Sequence, residues 1–388
     1  MAVNSLTQNQ VYTVLQNIVS QATGATALAS VDASNFVSVA TTALQTGYDN
    51  TIQAISQVLG RDIFSIRPYS QKFASLRVDE RKYGNHIRKM NYIDFAPAED
   101  QRQKAVTGAS IDPWVVNAPA ILQTNFYGQN VMQFSRTRYR DQLDVAFSGP
   151  EELARFWEGV VVNDVSTMVK DEEELARQTV CNLIGGVITS GGGNYINLRA
   201  AYNTLNGTSY TVAQLMTQAN FEPFIRWAYG YIMTVSDYMT ERSQLYHTNV
   251  TGKAINRHTP KERQRLYMRS DMLNQALTRV LASLFNQENM SLGAVERVSY
   301  WQSIQTPDSI NQTCCYLKAD GTLDTATVTK SGIFAVLFDE DAAGYTRCNE
   351  WTAVTPFNPS GGYWNQYYHY TLRYWNDFTE NAVVFTIE

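Results

Sequence analysis

The residue types that most often carry chemistry are few and scattered in this chain. Its four histidines, His86, His247, His258 and His369, include no two at the spacing that pairs ligands on a metal ion. The four cysteines, Cys181, the adjacent Cys314 and Cys315, and Cys348, form no CxxC pair, and vicinal cysteines rarely bridge each other. No Gly-x-Ser-x-Gly elbow is present. The run Gly191-Gly192-Gly193-Asn194 lacks the Lys-Ser/Thr of a phosphate loop and has no dinucleotide fingerprint around it, so it reads as plain loop. Two acidic runs remain. Asp171–Glu174 falls inside a helical pattern, where consecutive acids point in different directions, and a solvated patch is expected. Asp339-Glu340-Asp341 follows an apolar strand and is a candidate for holding a cation, although it lacks the EF-hand order of ligands. On these grounds no catalytic, cofactor-binding or metal-binding residue is assigned.

The elements are more informative than the titratable groups. From Ser148 to Gly186, apolar residues recur at helical spacing through Leu153, Phe156, Trp157, Val160, Val161, Val165, Met168, Val169, Leu175, Ala176, Val180 and Leu183. That predicts a helix of roughly 54 Å at 1.5 Å per residue, far longer than the usual globular helix. Ser148 and Glu151 have capping-box spacing for its start, and Gly185-Gly186 supplies the expected stop. The stripe is too wide for a coiled-coil seam, so a rigid spine in a flat domain is the reading.

Before it, residues 1–60 contain no Lys or Arg and read as two or three thin helices, broken near Gly24 and Gly47. Thin helices of this kind are marginal alone and must lie on something else: either a helical subdomain or an arm ordered by neighbours. Charge changes abruptly at Arg61, and the mixed Arg, Lys, Asp and Glu up to Lys104 suit a solvated or inter-subunit salt-bridging face. From about Gly84 the period turns toward two, through Ile87, Lys89, Asn91, Ile93 and Phe95, with a returning stretch at Gln129–Tyr139. Between them lies a polar tip, Ala98–Ser110. A two-stranded excursion with polar residues on both faces cannot bury itself in its own domain, so it is expected to lie across another molecule.

After the spine, helices are predicted near Val212–Ala219, from Phe221 through Val235, and over Asp271–Phe285, with strands at Gln264–Arg269 and Gly332–Phe338. This is an α+β unit. At the C-terminal end Tyr368, Tyr370, Leu372 and Tyr374 alternate with polar residues in a strand, and a last strand covers Ala382–Ile387. An aromatic stripe of period two packs on something, and the apolar spine is the obvious thing for it to cover.

Composition excludes several classes. The chain has 388 residues, 44% hydrophobic and 17% charged, so wholesale disorder is not expected. Its 23 tyrosines and 7 tryptophans suit extended interfaces as well as cores. A net charge of −5 without a basic block argues against direct coating of nucleic acid. Incidental thiols, the lack of a signal-peptide pattern and the lack of a spanning apolar run point to a cytoplasmic place of synthesis and assembly.

The layout and several stretches resemble the major capsid proteins of tailed double-stranded-DNA phages, which have the Hong Kong-type capsid fold. More narrowly, they resemble the major head proteins of small short-tailed, podovirus-like phages of Gram-positive and gut bacteria. The stretches are Leu122-Gln123-Thr124-Asn125-Phe126-Tyr127-Gly128-Gln129, Asp141-Gln142-Leu143-Asp144-Val145-Ala146-Phe147-Ser148 and Phe357-Asn358-Pro359-Ser360-Gly361-Gly362-Tyr363-Trp364-Asn365. The ending Asn376-Asp377-Phe378-Thr379-Glu380-Asn381 with Val383-Val384-Phe385 is of the same kind. The resemblance implies a non-enzymatic shell protein that assembles into pentamers and hexamers of an icosahedral head in the host cytoplasm and ends in the virion capsid. It implies an N-terminal arm (1–83), an extended loop lying over a neighbour (84–140), a peripheral domain (141–195 with 366–388) and an axial domain (196–365). It further implies a separate scaffolding protein and a portal as partners, since the first residues lack a charged, coiled-coil-like internal scaffold. The enclosed double-stranded DNA would be held without sequence-specific binding, and no cofactor or membrane is implied. An encapsulin-like compartment shell and an aromatic-rich carbohydrate-binding protein or enzyme are the alternatives.

Overall fold

The computed structural model describes residues 8–24, 30–45, 50–51, 54, 72–78, 87–94, 114, 116, 118, 120–127, 129–191, 193–279 and 295–388. Its central element is the spine helix, Pro150–Ser190, of 41 residues. Proline at its first position is already set to a helical φ, and Glu151 and Glu152 in the first turn favour the positive end of the helix dipole. Two expectations about its ends fail. Gly149 is the N-cap, and the Ser148 hydroxyl instead donates to the Val145 carbonyl at 2.6 Å. Nor does the helix stop at Gly185-Gly186. It runs to Ser190 and ends at Gly191, whose φ of +69° suits glycine. The inner pair is glycine for a packing reason: a Cβ on Gly186 would lie 2.6 Å from the Cys315 carbonyl oxygen, and one on Gly185 2.7 Å from Cys314 Cβ.

The spine is covered on one side by a three-stranded antiparallel sheet in the order β10 (Ala343–Val354), β11 (Tyr363–Asn376), β3 (Gln129–Tyr139). Trp364, Tyr368, Tyr370 and Leu372 alternate along β11 and are all buried in the same core as the spine. Phe134 of β3 stacks on Tyr370 at 6.1 Å between ring centroids. Asn376 donates to the Thr179 carbonyl at 2.9 Å and accepts from Asn182 at 2.8 Å, which fixes the strand end to the helix.

The ribbon differs from expectation in its return strand. β1 (Ile87–Tyr92) pairs with β2 (Ile121–Phe126), in the register Ile87↔Phe126 to Tyr92↔Ile121. Gln129–Tyr139 pairs with β11 instead, Tyr139↔Tyr363 through Gln129↔Arg373, without a register break. Period two identifies a strand and its faces but says nothing of its partner. Met132 and Phe134 needed an apolar surface, and β11 with the spine provides one. The expected tip, Ala98–Ser110, lies outside the described residues.

A five-stranded mixed sheet, ordered β4 (Tyr195–Asn197), β12 (Ala382–Thr386), β9 (Ile333–Asp339), β5 (Gln264–Arg269), β6 (Val295–Val298), lies between two cores. Every residue of β9 and β12 is buried, because both faces of the sheet are covered. Ala382 and Val384 belong to the spine core, and Val383, Phe385 and Ile387 to a second core under the helix Gln218–Tyr238. That helix buries Phe221, Phe224, Ile225, Ala228, Ile232 and Val235, a stripe of helical period. Before it, the expected helix over Val212–Ala219 is a single turn, Val212–Leu215, opened by a Thr211–Gln214 capping box. The helix expected over Asp271–Phe285 is described from Ser270 to Arg279, and its remainder lies outside the described residues. A hairpin of β7 (Ile310–Leu317) and β8 (Leu323–Lys330) lies along the C-terminal half of the spine, with Cys314 in the spine core.

Two N-terminal helices, Gln8–Thr23 and Phe36–Gln45, bury Val11, Leu15, Ile18, Val19, Phe36 and Ala40 in the spine core of their own chain. The break at Gly24 is present, at φ +69°. The one expected at Gly47 lies outside the described residues. β10 and β12 each join regions that the sequence assigns to different units: β10 pairs with β11, and β12 pairs with β9.

Candidate assembly surfaces and the charges behind them

The acids on the spine are fasteners, which corrects the expectation of a solvated patch. Glu172 and Glu173 are buried, and each meets an arginine. Arg347, reaching in from β10, donates to Glu172 and also to Glu350. Arg177 bonds Glu173 at 2.8 Å, donates to the Tyr300 carbonyl, and lies over the Tyr300 ring at 3.9 Å and the Phe73 ring at 5.1 Å. Farther up the helix Asp164, 5% exposed, takes Arg136 at 2.7 Å and Arg138 at 3.1 Å from β3. Of the run, Glu174 remains outside, in an exposed pair with Lys170 at 3.9 Å. A buried carboxylate is tolerated only when paired, so these acids select the strands that lie over the spine. The signal was present in the sequence as acids interrupting an apolar helix opposite arginine-bearing strands, but the pairing was not readable.

The second acidic run is no cation site either. Arg263 reaches Asp339 at 3.3 Å and Glu340 at 3.1 Å and also bonds Asp341, while Arg265 holds Glu340 at 3.0 Å. Thr259 donates to the other Asp339 oxygen at 2.8 Å. The expected cation is replaced by a guanidinium. Among the described residues no group of three His, Cys, Asp or Glu side chains has metal-site geometry.

The histidines do not converge. His247 is buried between Asn381 at 3.1 Å and the Ile255 carbonyl at 2.8 Å, and burial holds its pKa below the usual value. His369 stacks on Trp351 at 3.8 Å and 9° between planes. His258 is exposed and His86 lies outside the described residues. All four cysteines are free. Cys181 is buried, its thiol pushed up to about 12 by burial, so it is packing material and not a nucleophile. A cavity of about 700 Å³ opens between β3, the short helix Arg140–Ala146 and the start of the spine. Most of its charged lining is internally paired, Arg136 and Arg138 with Asp164, and Arg155 with Glu152 at 3.2 Å. No helix among the described residues is long and apolar enough to cross a membrane.

What the surface does offer is contact area. The ribbon has two unlike faces. Lys89 and Asn91 turn to the body of the subunit: Lys89 bonds Asp377 at 2.7 Å and also Glu380, and Asn91 is buried. The alternate residues face away, and Met90, Tyr92 and the paired Ile121 are 52%, 65% and 42% exposed. Trp114 and Val116, between the two strands, are 85% and 87% exposed. Other exposed apolar residues, such as Leu245, Ile304 and Trp351, are distributed over the body, but those of the ribbon share one face of a thin element, which marks an interaction surface rather than a catalytic cleft.

A family model described as Phi29-like phage major capsid protein matches residues 14–386. No curated protein matches the chain. Among solved structures, the capsid structure of Staphylococcus phage Andhra is 12% identical, with a TM-score of 0.55, over 84% of this chain and 86% of that one. A chain in the structure of the head fiber and inner core protein gp22 of native bacteriophage P68 is 10% identical, with a TM-score of 0.54, over 83% and 86%. At such identities the structural likeness is one of fold.

Proposed function

The chain belongs to the Phi29-like phage major capsid protein family and has an α+β phage capsid fold, and from that premise we propose how its parts build the head. As a major capsid protein it is a non-enzymatic virion component that forms the phage head from many copies of itself. In the proposed arrangement the ribbon, within the extended loop 84–140, lies on an adjacent copy in pentamers and hexamers. The observation that carries this reading is the outward apolar face of Met90, Tyr92 and Ile121, on a ribbon whose other face is already occupied. Residues 1–83 are the N-terminal arm, with its described helices laid on the spine of their own chain. Residues 141–195 and 366–388 form the peripheral domain, and 196–365 the axial domain. The buried cores cross these bounds, since Tyr267, Trp301, Val336 and Tyr345 pack in the spine core and Val383 and Phe385 in the second one, so the two proposed domains share their packing through β10 and β12.

Each contact need not be strong. Weak apolar contacts repeated around a closed shell sum to a stable container. A scaffolding protein and a portal are proposed as partners, and the DNA as a cargo packed without sequence-specific contact. A chain of net charge −5 without a basic block supports the last point.

The test is the double variant Tyr92→Ser/Ile121→Ser in the full chain. Both side chains are exposed, so the subunit should fold with an unchanged melting transition. Closed shells, counted by electron microscopy, should be lost or sharply reduced. Normal shells from this variant would remove the ribbon from the intersubunit contact.

A further inference from the structure

We propose that Lys89 is a positioning residue for assembly: with Asp94 it fixes the direction in which the ribbon leaves the subunit. The proposal rests on the reading that the ribbon lies on a neighbouring copy.

Lys89 ends in a braced site. Its ammonium bonds Asp377 at 2.7 Å and also Glu380, whose side chains are 1% and 8% exposed. These acids sit in the tight turn between β11 and β12, where Asp377 accepts from the Thr379 amide at 2.9 Å and hydroxyl at 2.6 Å. The Thr248 amide donates to the Phe378 carbonyl at 2.9 Å, and Arg257 bonds the Thr379 carbonyl at 3.0 Å and Glu380 at 3.2 Å. The turn is therefore tied to the 248–257 segment by bonds that do not involve the ribbon. Burial alone depresses the Lys89 ammonium, and the charges of Asp377 and Glu380 reverse that and leave its pKa raised.

A second tether lies two residues past the end of β1. Asp94 bonds Arg242, and its other oxygen accepts from Asn256 at 2.8 Å. Five residues of extended chain separate the tethers, roughly 16 Å at about 3.3 Å per residue. Both lead to one unit, because Ser243 and Arg257 are joined by reciprocal backbone hydrogen bonds of 2.9 and 2.8 Å. Two fixed points on a strand define its direction, whereas one leaves a pivot. The pair at Asp94 is exposed and screened by salt, and the Lys89 site is not. The Lys89 site also sets which face is shown, since it turns Met90 and Tyr92 outward.

Spin labels at Asn125→Cys on the ribbon and Thr325→Cys on β8, in a Cys315→Ser background, report the ribbon's direction in the purified full-length subunit. Shells are counted in cells producing the complete set of virion proteins. Lys89→Met should leave a cooperative melt, broaden the distance distribution and lower closed-shell yield by about tenfold or more, since the misdirection repeats at every contact. Lys89→Arg should restore both. An unbroadened distribution in Lys89→Met overturns the proposal, whatever the shell yield. A broadened distribution with normal shells leaves the tether standing but overturns the ribbon as an intersubunit contact, and with it the role of Lys89 in assembly. If Lys89→Met does not fold, Asp94→Asn at the exposed tether carries the test: it should broaden the distribution, and an unchanged one overturns the proposal.

Discussion

Gly186→Ala isolates a close approach between the spine and the strand beside it. On an isolated helix the substitution stabilises by about 1 kcal/mol, because alanine loses less backbone entropy than glycine. Here the added methyl meets the ring of Phe378 and lies 2.6 Å from the Cys315 carbonyl oxygen, under the closest separation real Cβ atoms show. A ring can swing, but a strand carbonyl can yield only if β7 lifts from the spine. Forced overpacking of this kind costs about 1–3 kcal/mol, occasionally more. Gly159 is the internal control: it lies in the same helix, is exposed, and its added Cβ meets nothing within 4 Å. Gly159→Ala should therefore stabilise by about 0.5–1 kcal/mol, and Gly186→Ala should be less stable than it by roughly 2–3 kcal/mol. Chemical denaturation of the unassembled subunit, followed by circular dichroism, measures both midpoints. Equal midpoints would show that the spine tolerates side chains there, and the account of the two inner glycines would fail.

Other outcomes follow from the buried polar groups. Burial keeps His247 below its ordinary pKa, so the unfolded chain takes up a proton before the folded one does. Its contribution to stability is present above about pH 6.5 and declines as pH falls through the lower folded value. His247→Gln should flatten the dependence of melting temperature on pH in that window; a wild-type slope in the variant would contradict the assignment. Arg263→Gln removes the guanidinium beside Asp339, whose side chain is 4% exposed, and should destabilise the subunit by about 1–3 kcal/mol, the pair being partly solvent-screened. Chemical denaturation of the unassembled subunit measures the loss, and an unchanged midpoint would mean that the arginine does not hold Asp339 as described.

The sequence by itself determined what is local. Apolar spacing from Leu153 to Leu183 predicts the long helix, and alternation predicts β11 and the strand at Ile87, because helix and strand periods are properties of a few neighbouring residues; that one face of the ribbon is apolar and exposed was not expected. The lack of clustered chemical residues pointed away from catalysis for the same reason. Tertiary structure alone decided which surfaces meet. Gln129–Tyr139 went to β11 and not to the ribbon, because its apolar face needed the spine, and alternation carries no name for the partner. Gly185 and Gly186 read as a helix stop until β7 and Phe378 are seen pressed against them. Glu172, Glu173 and the run at Asp339 read as solvated or cation-binding acids because an isolated carboxylate prefers water. Only the arrival of Arg347, Arg177 and Arg263 from distant parts of the chain makes their burial tolerable, and that proximity exists only after the chain has folded.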